Sequence, residues 1–160
     1  MSMPRLLQLA LVWARLRIHE TTEIRGIQLV GHPTASLSDL CAQLEEALDQ
    51  VASVDPVTYG EILRSMRMII VTERFRNILL PDGICFLPRN APALGSTRRL
   101  GGWAVWAAAY IGECRQAECS KSVAKAAEEA ACKARQQYYR GLDLAQLAID
   151  STCYSPRSLA

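Results

Sequence analysis

Trp106 and Tyr110 stand one helical turn apart in the most apolar stretch of the chain, Thr97 to Cys119 (TRRLGGWAVWAAAYIGECRQAEC). On that spacing they share one face of a helix, where two aromatics are ordinarily core residues. Polar groups that could do acid–base work sit around this helix and the one after it: Tyr110, Glu113, Glu128 and Arg135. No polarised triad can be assembled from them. Other clusters invite metal chemistry. His19, Glu20 and Glu23 bring an imidazole and two carboxylates together, but His32 is the only other histidine, so the segment reads as the solvated start of a strand. Cys114, Cys119 and Cys132 fall on the last two long helices and can meet where those helices join. Their C-x4-C spacing is not a common zinc spacing, and Cys153 is the one further thiol nearby. Asp82, Arg89 and Asn90 read as turn residues. No Ser-His-Asp set, P-loop or G-x-G-x-x-G is present.

Composition narrows the classes. The chain has 160 residues, enough for one domain with a single core, and 50% of them are hydrophobic. Residues 1–100 carry 11 Lys/Arg against 10 Asp/Glu, and residues 101–160 carry 7 against 6, so each part is +1. That balance lacks the basic stripe a nucleic-acid partner would need. Six cysteines in a chain of this length are too sparse for a disulfide scaffold. The reading adopted is free buried thiols in a reducing cytosol, with a disulfide between two C-terminal cysteines as the alternative. The apolar run Leu6 to Ala14 is followed at once by Arg15 and Arg17, which suits an amphipathic segment better than a signal peptide. The run from Leu100 to Gly112 is shorter than the roughly 20 residues that cross a bilayer. A cytoplasmic protein is expected.

The elements that position these residues follow from periodicity. Residues 4–17 predict a helix, with Leu6, Leu9, Trp13 and Leu16 on one face. Residues 23–31 predict one strand, β-branched at Ile24, Ile27 and Val30. Thr34 or Ser36 caps a helix with a stripe of Leu37, Leu40, Cys41, Leu44, Leu48 and Val51. Asp55 as N-cap and Pro56 at N1 start a short helix. Residues 67–73 predict a strand. Pro81-Asp82-Gly83 predicts a type I turn between residues 76–80 and 83–88. Ser96 or Thr97 caps the apolar helix, and Gly101 and Gly102 in its early turns imply close approach of another backbone. A further helix is expected from about Ser120 to Arg140, stopped by Gly141 and followed by a short helix from Leu142 to Ile149. Val123, Ala127, Ala130, Ala131, Ala134 and Tyr138 line its buried face, and Lys125, Glu129 and Lys133 form a solvated ladder. This order matches no parallel βαβ ladder. It predicts a single α+β domain over residues 1–160, in which a small, mostly antiparallel sheet packs against a long buried helix and a second C-terminal helix.

A strand, a hairpin edge strand, a long buried helix and a second helix, over roughly residues 67–140, resemble the core of zincin metallopeptidases. In that family the buried helix carries H-E-x-x-H, two histidine ligands one turn apart and a glutamate that activates the metal-bound water. On this resemblance Trp106 stands where the first histidine would be, Ala107 at the glutamate and Tyr110 at the second histidine. Glu128 on the following helix matches the third ligand of one branch. Trp and Ala cannot ligate zinc and Tyr alone does not suffice, so no polarised water is expected. The resemblance therefore implies a degenerate zincin-like domain without metal or other cofactor.

Three functions follow. The first is a non-catalytic module that binds a protein or peptide, along an edge strand at Ile84, Phe86 and Leu87. The second is a small enzyme of another class with a polar site at Tyr110, Glu113 and Glu128. The third is a metal or redox module built on the C-terminal cysteines. The first is adopted. The partner's identity and the oligomeric state are not encoded in any motif.

Overall fold

The computed structural model describes Ala10, Ala14 and residues 19–31, 36–73, 78–116 and 121–153. Most of the helix expected over residues 4–17 lies outside the described residues. The chain forms β1 (Thr21–Ile24), β2 (Ile27–Val30), α1 (Leu37–Val54), α2 (Pro56–Ser65), β3 (Met68–Thr72), β4 (Ile78–Leu79), β5 (Ile84–Pro88), the 3-10 turn η1 (Pro92–Gly95), α3 (Thr97–Gln116) and α4 (Lys121–Cys153). The architecture is α+β, with helices packed on a five-stranded sheet of order β1-β2-β3-β5-β4. No helix among the described residues is long and apolar enough to cross a membrane.

The sheet is evenly mixed, not mostly antiparallel. Its outer pairs, β1–β2 and β4–β5, are antiparallel, and its central pairs, β2–β3 and β3–β5, are parallel. The physical reason is the crossover through α1 and α2, which carries the chain from β2 back to start β3 in the same direction. Helices and a parallel crossover therefore occur together here, contrary to the expectation of no βαβ unit.

Residues 23–31 are not one strand. Arg25 (φ 52°) and Gly26 (φ 83°) both lie in the left-handed region and fold the segment into a two-residue hairpin. Glycine meets that demand freely, whereas arginine does not. Arg25 is held by its side chain, which bonds Asp49 Oδ1 on α1 at 2.5 Å and Tyr59 Oη on α2 at 3.0 Å. The second hairpin follows its turn chemistry: Gly83 N–H donates to Leu80 O at 2.9 Å, and Gly83 takes φ 88°. A Cβ at Gly83 would also collide with Ser65 O, so this position needs glycine twice over.

Alternation along the strands sorts the sheet into two apolar faces. Leu29, Ile69 and Cys85 lie in register and join the helices in the main core. Val30, Ile70 and Phe86 form the matching row of a second, smaller cluster. Two buried faces account for the near-continuous apolar run in β3.

α3 is the hub. It packs against α1, α2, η1 and α4, and Leu100 through Val105, Ala107, Ala108 and Ile111 are all buried. Ser96 caps it, accepting from Arg99 N at 3.3 Å. Gly101 and Gly102 admit side chains of α4 where a backbone was expected. A Cβ at Gly101 would lie 2.5 Å from Tyr138 Oη, and one at Gly102 would overlap Tyr139 Oη. Tyr138 is buried and donates to Gln50 Oε1 on α1 at 3.0 Å. Burial pushes its phenol up to about 12.

α4 also departs from expectation, because Gly141 does not stop it and one helix runs to Cys153. A Cβ at Gly141 would sit 2.5 Å from Val54 Cγ1, so this glycine serves close approach to the end of α1. The buried face is as expected, with Ala127, Ala131 and Tyr138 inside and Lys125–Glu129 paired at 4.0 Å on the solvent side.

The Gly102–Tyr139 contact predicts that Gly102→Ala destabilises by about 1–3 kcal/mol in urea unfolding, despite alanine's helix preference. In a Tyr139→Ala background the same substitution should cost little; an equal cost in both backgrounds would refute the contact. Asp55 caps α2, accepting from Val57 N and Thr58 N at 3.1 Å and from Thr58 Oγ1 at 2.6 Å. The Thr58 hydroxyl, then the backbone N–H groups, hold its carboxylate below the ordinary range. Asp55→Ala should cost about 1 kcal/mol at neutral pH. A lowered folded value means the stabilisation is full above the unfolded value, about 3.9, and fades as pH falls through the folded one. The wild-type and variant stability curves should therefore converge in acid.

Candidate functional site

Beyond its first turn α3 is largely buried, and the sequence-predicted positions divide between its buried and open sides. Trp106, Ala109, Tyr110 and Glu113 recur at helical spacing and all escape full burial. Trp106 and Tyr110 stack, with ring centroids 5.6 Å apart and planes 24° from parallel. Ala107, in the position that corresponds to the family's glutamate, points elsewhere: it is 0% exposed and belongs to the main core. Glu128 is exposed on α4, away from the buried line of Ala127 and Ala131. Trp106 and Tyr110 are thus brought together, while Ala107 and Glu128 do not complete a cluster with them.

The aromatics stay half-exposed because the residues around them are small. Ala104, Val105, Ala107 and Ala108 let α1, α2 and α4 close around the rest of the helix. The remaining face is filled by two wide rings that lie flat on each other, a geometry that carries about 0.5–1.5 kcal/mol beyond area burial. Two flat apolar surfaces with a phenol at one end suit contact with another apolar or planar group. Among the described residues no three His, Cys, Asp or Glu side chains come together in a way that could hold a metal.

The expected peptide-binding edge is not an edge. β5 lies between β3 and β4, and Phe86 and Leu87 are buried. Phe86 pairs with Ile70 on one side and Ile78 on the other. The edges of the sheet are β1 and β4. The turn residues define the hairpin but not which of its strands lies outside, so the expectation placed the wrong strand at the edge. The parallel β3–β5 pairing decides it.

The cysteines are dispersed. Cys41, Cys85 and Cys132 are free thiols, and Cys119 lies outside the described residues. Burial pushes the Cys85 thiol up to about 12, with Arg115 opposing weakly. Burial, then the Glu45 carboxylate, also raises Cys41.

A cleft of about 500 Å3, with polar groups set in a largely apolar wall, opens where β5 ends and α3 begins, lined by Asp39, Gln43, Glu46, Arg89, Leu94 and Thr97 among others. It sits beyond the carboxyl end of a parallel strand, where α/β sheets lodge ligands. Much of its polarity is internally satisfied. Thr97 Oγ1 donates to Glu46 Oε2 at 2.9 Å, Gln43 Nε2 to Leu94 O at 3.4 Å, and Arg89 faces Glu73 at 3.9 Å. Arg89 is therefore more than a turn residue. The α1–α2 crossover, had it been recognised, was the signal that could have located it.

No family model, no curated protein and no solved structure matches this chain.

The thiols predict an order of reactivity. With iodoacetamide at mildly alkaline pH, Cys132, which is partly exposed, should be alkylated in the folded protein. Cys85 should react only after unfolding. Mass-spectrometric mapping showing Cys85 modified early would contradict its burial.

Proposed function

We propose that this chain is a non-catalytic, zincin-like domain that binds a protein or peptide partner through the aromatic face of α3. The observation that carries the proposal is the stacked Trp106–Tyr110 pair, half-exposed on a helix whose central turns are mostly buried. In the zincin resemblance those two positions belong to the metal-binding histidines, and here they hold an indole that cannot ligate zinc and a phenol that alone does not suffice. The order β3, β4–β5 hairpin with β4 outermost, buried α3 and then α4 supports the same resemblance. Aromatic anchors of this kind are the residues that dominate binding energy at interfaces. The small-enzyme alternative finds less support, because Glu113 and Glu128 are both exposed to water. The free thiols Cys41, Cys85 and Cys132 suit the reducing cytoplasm, where we place the domain.

Selection from a random peptide library against the purified protein tests this reading. Selected peptides should bind the wild type and lose about 2 kcal/mol, roughly 30-fold in Kd, on Trp106→Ala or Tyr110→Ala. Thermal melts of both variants guard against unfolding. Peptides that bind wild type and variants equally, or a selection that yields no binder, would overturn the proposal.

A further inference from the structure

A second cleft, of about 510 Å3, lies between η1, α3 and α4. Its wall contains Arg99 and Trp103 of α3, Arg135, Gln136 and Tyr139 of α4, and the apolar turn Ala91–Ala93. Neither Trp106 nor Tyr110 lines it. Two features set it apart from the cleft at the end of β5.

The first is charge. Two guanidinium groups line this space and, among the described residues, no aspartate or glutamate does. Both arginines are exposed, and neither belongs to an ion pair among the described residues. The neighbouring Arg98 differs: it is paired with Asp143 at 2.7 Å and lies over the Tyr139 ring. Arg99 is also given room, since a Cβ at Gly95 would lie only 3.3 Å from its Nη1.

The second is an orphan donor. Trp103 is 5% exposed, and its Nε1 is a buried side-chain polar atom without a hydrogen-bond partner. A buried indole N–H ordinarily finds an acceptor, and leaving it unpaired costs about 1–3 kcal/mol. The indole N–H itself is buried, and the donors that the wall opens to solvent are the two guanidinium groups, an amide and a phenol, with no anionic acceptor among its described residues. Arginine pairs of this kind recognise carboxylate and phosphate groups by parallel N–H···O bonds. Trp103, Tyr139 and the Ala91–Ala93 turn supply apolar surface beside them.

We infer that this cleft binds a small organic oxyanion, a carboxylate or phosphate ester carrying an apolar body. The charged end sits between Arg99 and Arg135, and the body lies against Trp103 and Pro92. A cleft of this volume falls within the range for small-molecule sites.

Isothermal titration of the full chain with phenyl phosphate, phenylacetate and uncharged benzyl alcohol tests the inference. Saturable binding of either anion, weakened by added salt, is expected, and the tighter of the two assigns the oxyanion. Arg99→Gln and Arg135→Gln should each weaken it about tenfold. Both side chains are exposed, so the variants should melt like the wild type. Absence of saturable binding by both anions would overturn the inference. So would benzyl alcohol binding as tightly as the anions, or both arginine variants binding like the wild type.

Discussion

The fold depends on how closely α4 can approach α3. Tyr138 and Tyr139 of α4 set their hydroxyls against Gly101 and Gly102, at positions where any side chain would occupy the same space. Two adjacent tyrosines on one helix meet two adjacent glycines on the other, so the crossing point has little freedom to slide. Tyr138 continues past α3 to Gln50, which ties α1 into the same layer. Gly141 then brings α4 against Val54 at the end of α1. These contacts let a helix as small-sided as Trp103 to Ala109 be buried on nearly every side. Arg98–Asp143 and Thr97–Glu46 fasten the beginning of α3 to both neighbours at the surface.

Much of this could be read from the chain, and the failures have physical causes. α1, α2, β3 and the β4–β5 turn followed from caps, a proline at N1 and turn residues, all of which act locally. Gly141 was misread because a glycine that terminates a helix and one that admits a neighbour look alike until the neighbour is known. The Arg25–Gly26 turn was hidden by Ile24 and Ile27, which are both buried and suggest continuity. Its first position is an arginine that a turn would not select, and only Asp49 and Tyr59, distant in sequence, explain it. The parallel pairing of β2 with β3, and so the interior place of β5, depends on a crossover that no local pattern records. At the candidate site, the i, i+4 relation of Trp106 and Tyr110 was legible from spacing. The inward turn of Ala107 and the outward turn of Glu128 were not, because they depend on where α1 and α4 come to rest.

The exposed parts of α3 differ in chemistry. Trp106 and Tyr110 offer flat apolar surface, while Arg99 in the first turn brings a guanidinium to a cleft shared with α4. The two proposals therefore draw on different side chains of one helix. The glycine–tyrosine crossing lies between the cleft residues Arg99 and Trp103 along the sequence and precedes the aromatic stripe.

At the other end of α3, Arg115 donates to Pro81 O at 2.6 Å, to Ser65 O at 2.9 Å and to Arg64 O at 3.3 Å. A single guanidinium thus satisfies carbonyls at the end of α2 and in the β4–β5 turn. Helix ends usually fray independently, each exchanging its amide protons at its own rate. Here the last turn of α3 is tied to two segments that also hold each other, since Arg67 N and Met68 N donate to Gly83 O at 2.9 and 3.2 Å. Unwinding that turn therefore carries the added cost of leaving carbonyls of both segments without the guanidinium, which couples a helix end to a sheet turn far from it in sequence.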